Sequence, residues 1–133
     1  MGNQDEAIAA WTSLTSDRDY LSPELAYYNI GLTYVKRAFE LRDKQTSELA
    51  GTLSLAESSL LNALRISKYF IDALFYLAQV YIMQNRKEDA RNALQQIVIE
   101  APEHEAAKRI LNGLEQEMQT SGRRADNPFH PTR

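Results

Sequence analysis

Two stretches of this chain repeat one another in spacing. Tyr27-Tyr28-Asn29-Ile30-Gly31-Leu32-Thr33-Tyr34 and Leu74-Phe75-Tyr76-Leu77-Ala78-Gln79-Val80-Tyr81 both read as large apolar, two residues, aliphatic, small, two residues, tyrosine. A second pattern, alanine followed four residues later by a bulky apolar side chain, occurs at Ala7 and Trp11, Ala56 and Leu60, and Ala90 and Leu94. Spacings of three, four and seven residues place such side chains on one face of an α-helix. The chain therefore holds two copies of one helix, A, and three of a partner helix, B. A unit of this kind cannot bury its apolar face alone, so stacked copies must complete a shared core.

The intervals narrow the fold further. Ala56 and Ala90 lie 34 positions apart, Ala78 and Ala90 lie 12 apart, and Pro102 stands 12 beyond Ala90. In these residues the sequence resembles the tetratricopeptide-repeat (TPR) family, whose unit of about 34 residues is an antiparallel A/B helix pair. The resemblance covers about 110 residues and implies an all-α solenoid of TPR-type antiparallel helix pairs. Gly31 and Ala78 are expected to be small because A and B approach closely there, with Ala56 and Ala90 on the opposing face. Tyr34, Tyr81, Leu60 and Leu94 are expected to fill the space between neighbouring pairs. Pro102, which lacks an amide donor, should end its B helix.

One interval breaks the pattern. Gly31 and Ala56 are 25 positions apart where 12 are expected, so 13 residues are inserted between A and B of the middle unit. Tyr27, Gly31, Tyr34, Ala38 and Leu41 continue a helical stripe before the insertion. Leu49, Leu53, Ala56, Leu60 and Ala63 continue one after it. Both helices should therefore lengthen, with a polar turn at residues 42–47 and Thr46 or Ser47 capping the returning helix. About six added residues per arm at about 1.5 Å each would project this elongated hairpin about 9 Å beyond its neighbours, as a spur available to a partner.

These readings give a TPR domain over residues 1–119: a half repeat at 1–20, the elongated repeat at 21–68, a repeat at 69–102 and a capping helix at 103–119. Residues 120–133 are expected to form a disordered tail. Helices are expected at about 4–17, 23–42, 46–67, 70–84, 87–100 and 103–118. Gly2 to Ala7 matches the turn between an A and a B helix, so the chain should open halfway through a repeat, with at least one further helix upstream in the parent protein. That would leave Ala7, Trp11 and Leu14 of the first helix exposed, and homodimerisation through this helix is one way to cover them. In the capping helix, Ala106, Ala107, Ile110, Leu111 and Leu114 share the inward face.

Composition excludes several functions. With 15 Lys and Arg against 18 Asp and Glu the net charge is -3, so no basic field draws in nucleic acid. No apolar run reaches the length of a membrane span, and no membrane contact is expected of this segment. Cysteine is absent, which removes disulfides and thiolate chemistry. The two histidines, His104 and His130, lack ligand spacing to a second donor, and Glu115 and Glu117 diverge on their helix. No metal, cofactor or catalytic residue is expected, and the chain reads as a non-catalytic scaffold.

In TPR stacks the A helices line a groove that takes a polypeptide. The residues left on that side are Leu25, Tyr28, Asn29, Leu32 and Lys36 of the first A helix and Asp72, Phe75, Tyr76, Gln79 and Met83 of the second. Aromatic and amide groups dominate, suiting apolar anchoring of a protein or peptide whose backbone Asn29 or Gln79 would bond. The co-chaperones of the family that grip a heat-shock protein's C-terminal carboxylate need Lys and Arg where this chain has Asp72 and Tyr76, so that function is not expected.

Residues 20–31 and 73–81, with Ala101-Pro102-Glu103, also resemble the later repeats of the TPR pilotins of type IV pili. That resemblance implies an outer-membrane-anchored periplasmic lipoprotein that assists assembly of a secretin, with a secretin subunit as partner. The inserted residues and the lack of a lipid-bearing cysteine depart from that pattern. Two alternatives stand beside it: a generic bacterial TPR adaptor, and a cytoplasmic secretion chaperone that dimerises through its first repeat.

Overall fold

The computed structural model describes residues 2–44 and 46–126, and every regular element among them is a helix. In chain order these are α1 (Gly2–Thr15), α2 (Pro23–Leu41), α3 (Ser47–Ile66), α4 (Ile71–Met83), α5 (Lys87–Glu100) and α6 (Glu105–Asp126). Each helix packs on the next in sequence, and α2 also touches α4. Links this short return each helix antiparallel to its predecessor, which makes a one-dimensional stack of hairpins.

The inserted residues lengthen both arms of one hairpin. α2 and α3 hold 19 and 20 residues, against 13 and 14 in α4 and α5. Six extra residues per arm correspond to about 9 Å of additional height. The returning arm is capped by Thr46, whose hydroxyl accepts the Leu49 N–H at 3.3 Å. Pro23 opens α2 at a position where no amide donor is needed. α5 stops at Glu100, two residues before Pro102.

Two core clusters share α4. The first joins Val35 and Ala38 of α2, Leu53, Ala56, Leu60 and Ala63 of α3, and Ala73, Leu77 and Val80 of α4. The second joins Leu74 and Ala78 of α4 with Ala90, Ala93, Leu94 and Ile97 of α5 and Ala107 and Leu114 of α6. Burial on both sides explains why α4 is apolar almost throughout. Close approach of α2 and α3 is set at Gly31, where a Cβ would lie 2.8 Å from Cγ and Cδ2 of Leu60. Leu60 thus fills the space above Gly31 within its own pair, in addition to joining the pairs as the sequence suggested.

The α4–α5 turn holds Asn85 at φ 61°, in the left-handed region that asparagine tolerates better than most residues. The Arg86 N–H donates to the Tyr81 carbonyl at 2.8 Å and the Asn85 N–H to the Ile82 carbonyl at 3.0 Å. These are the two bonds of a Schellman cap, with asparagine in the usual glycine position. Arg86 then lies 4.4 Å from the centre of the Tyr81 ring and pairs with Glu57 at 2.8 Å and Asp89 at 2.9 Å, tying the turn to α3.

The ends differ from expectation in three ways. Gly2 is the first residue of α1 and not part of a turn. Ala7, Trp11 and Leu14 are half-buried, on the helix that packs against α2. Arg37 of α2 fastens α1 by donating to Gln4 at 3.0 Å and to Asp5 at 2.7 Å. At the other end α6 continues to Asp126, beyond the boundary near residue 119, because nothing between 119 and 126 is a helix breaker: Gly122 costs helix propensity without ending the helix. The rest of the expected tail, residues 127–133, lies outside the described residues.

Candidate functional site

Helices α2 and α4 each present one face at helical spacing, and aromatic rings connect the two. Tyr28 of α2 lies 6.3 Å from Tyr76 of α4 between ring centres, and Tyr76 lies 5.6 Å from Phe75 in an edge-on arrangement. Both distances fall in the range where ring quadrupoles attract. Tyr28 and Tyr76 lean on the first core cluster and Phe75 on the second, so each ring is part core and part surface.

Two residues that the sequence reading left out complete this track. Phe70, just before α4, packs on Tyr28 at 4.8 Å, and His104, just before α6, packs on Phe75 at 5.1 Å. They are related by the repeat: Phe70 and His104 are 34 positions apart, and Tyr28 and Phe75 are equivalent once the inserted residues are allowed for. The residues just before α4 and α6 therefore stack on equivalent positions of α2 and α4. Applying the period to the helix-starting positions, and not only to helix interiors, would have found both. His104 also caps α6, its Nδ1 accepting the Ala107 N–H at 3.1 Å. That bond requires the proton of the neutral ring to sit on Nε2.

The remaining expected residues surround the track. Leu25 is exposed, with Lys36 and Asp72, while Asn29, Leu32 and Gln79 are half-buried along the same helices. Burial pushes the Tyr28 phenol above its ordinary value, and the charge of Asp72 and then Tyr76 add to the effect. Tyr28 consequently stays a neutral hydrogen-bond donor over the physiological range. Met83 stands apart from the aromatic track: it lines a cavity with Leu49 and Leu53 at the far end of α4.

The face combines flat apolar rings, half-exposed amides and the exposed carboxylate of Asp72, which forms no ion pair among the described residues, an arrangement suited to binding a polypeptide. Among the described residues no group of three or more His, Asp or Glu side chains converges to hold a metal. No helix there is long and apolar enough to cross a membrane.

The family model of the tetratricopeptide repeat matches residues 49–119, from the first turns of α3 through most of α6. No curated protein matches the chain. Members of this family typically serve as non-catalytic scaffolds for protein interaction, and the hairpin stack found here has that architecture. With more than half of its length matched, the chain belongs to the tetratricopeptide-repeat family.

Proposed function

We propose that the α2/α4 face binds a segment of a protein partner, with Tyr28, Phe75 and Tyr76 as anchors and Asn29 and Gln79 bonding the partner's backbone. The observation that carries this reading is the continuous aromatic track from Phe70 through Tyr28, Tyr76 and Phe75 to His104. Rings already ordered by one another lose little side-chain entropy when a partner covers them, so their contact area converts well into affinity. Leu25, 43% exposed at the start of α2, and Leu32 extend the apolar surface along that helix. Lys36 and Asp72 are placed to set direction through charge.

Selection of displayed random peptides against the chain, followed by calorimetry, tests this. Tyr76→Ala should weaken a selected peptide by about 1 to 3 kcal/mol and Asn29→Ala by about 1 kcal/mol. Retention of full affinity by both variants would remove the site from this face. A finer reading, assistance to secretin assembly in the manner of a pilotin, is supported by the resemblance of residues 20–31, 73–81 and 101–103. It requires direct binding to a purified secretin subunit that Tyr76→Ala abolishes.

A further inference from the structure

The elongated hairpin creates a step where it stands beside the shorter α4–α5 hairpin. An open cavity of about 710 Å³ lies at that step. Its base is apolar, formed by Phe39 of α2, Leu49 and Leu53 of α3 and Met83 at the end of α4. Two guanidinium groups stand on its rim. Arg86 is occupied by Glu57 and Asp89, whereas Arg42, 5.8 Å from the centre of the Phe39 ring, forms no ion pair among the described residues. No carboxylate belongs to the cavity lining.

The size is that of a ligand or side-chain pocket, within the range of about 300 to 1,000 Å³. The other hollow beside the α4–α5 turn, toward α6, is polar in character, bordered by Lys87 and Glu117, which pair at 3.6 Å. Of these two hollows, the step is the one that joins an apolar base to a cation without an ion pair among the described residues. In a chain of net charge -3 this is a local exception, which favours a partner carboxylate here over the surface at large. The Phe39 ring, 5.8 Å from the Arg42 guanidinium, offers it a cation–π contact that leaves its N–H donors free for a carboxylate.

We propose that this notch is a second docking site, separate from the α2/α4 face, and that it takes an acidic–apolar segment of a protein partner. One large apolar side chain of the partner rests on Leu49, Leu53 and Met83, and a neighbouring carboxylate meets Arg42. The site exists because of the inserted residues: with arms as short as α4 and α5, the hairpin would not carry Phe39, Arg42 and Leu49 above the α4–α5 turn.

The test uses the full chain, isotope-labelled, titrated to millimolar concentration with the capped synthetic hexapeptide Ser-Glu-Phe-Leu-Glu-Ser and with its twin bearing Gln in place of both Glu. The acidic peptide should shift the backbone amides of Leu49, Ala50, Ser54 and Gln84. The twin should bind about tenfold more weakly, as should the acidic peptide to Arg42→Glu. Phe39→Ala, at an exposed position, serves as a second variant and should weaken binding several-fold. The proposal is overturned if no notch amide shifts, if the two peptides bind equally, if Arg42→Glu is without effect, or if the shifts fall only on α2/α4 face amides. Shifts of the same amides with protein concentration in the absence of peptide would assign the notch to a second copy of the chain and overturn it equally.

Discussion

Replacing glycine by alanine at two positions of the long hairpin should change stability in opposite directions. At Gly31 the new Cβ would lie 2.8 Å from two side-chain carbons of Leu60 and 3.3 Å from its backbone nitrogen. Carbon atoms pack best at about 3.5 to 4.0 Å, and Leu60 is 0% exposed, so it has no free space to move into. Overpacking of this kind costs about 1 to 3 kcal/mol, and the better helix propensity of alanine returns about 0.8 to 1 kcal/mol. The net effect is a loss of about 1 kcal/mol, reaching about 2 kcal/mol if α3 cannot shift. At Gly51, exposed on α3 with nothing within 4 Å of a Cβ, only the propensity gain remains, about 0.5 to 1 kcal/mol of stabilisation. Urea unfolding followed by circular dichroism resolves a difference of this size. The clash also predicts coupling: Leu60→Ala alone should cost about 2 to 5 kcal/mol, and adding Gly31→Ala to it should cost almost nothing more. Stabilisation at both glycines, or strict additivity of Gly31→Ala and Leu60→Ala, would refute the close approach as the reason for Gly31.

Asn85→Gly should stabilise the α4–α5 turn by up to about 1 kcal/mol and Asn85→Val should destabilise it by more than that, since only the left-handed backbone completes the cap; denaturation midpoints decide. Because burial and Asp72 raise the Tyr28 pKa in the folded state, the stability it contributes is full below the unfolded value of about 10 and is lost as pH rises through the folded value. The advantage of the native chain over Tyr28→Phe should therefore shrink in melting curves taken above about pH 10, and a constant difference would contradict it. His104→Ala should cost about 0.5 to 2 kcal/mol and speed amide exchange at Ala107, whereas His104→Asp should restore the cap without restoring the ring on Phe75.

Helix identity and order were legible because side-chain size repeats: Gly31 and Ala78 mark the A helices, and Ala56 and Ala90 the B helices. The stripe from Tyr27 to Leu41 made the insertion readable as longer helices, and Thr46 marked where the return begins. Features set by backbone conformation or by contacts distant in sequence were not legible. Asn85 looks like any polar turn residue until its φ is known. Arg37 offers no sequence sign that its partners are Gln4 and Asp5, more than thirty residues away. His104, notable in the sequence only for lacking a second metal ligand at the right spacing, is a helix cap and the last ring of the aromatic track. Of the ten residues expected on the binding face, Tyr28, Phe75 and Tyr76 are joined by ring contacts. Met83 instead faces the notch made by the insertion, since the period alone does not say how far each arm of a hairpin reaches.

Site-specific photo-crosslinking to a selected peptide tests the binding face most directly. A benzophenone side chain is placed in turn at Gln79 on α4, at Ser54 beside the notch, and at Ile99 on α5, which is 70% exposed. The α2/α4 face predicts a crosslinked product from Gln79, lost on adding Tyr28→Ala, and none from Ile99. Crosslinking from Ile99 or Ser54 with none from Gln79 would contradict it.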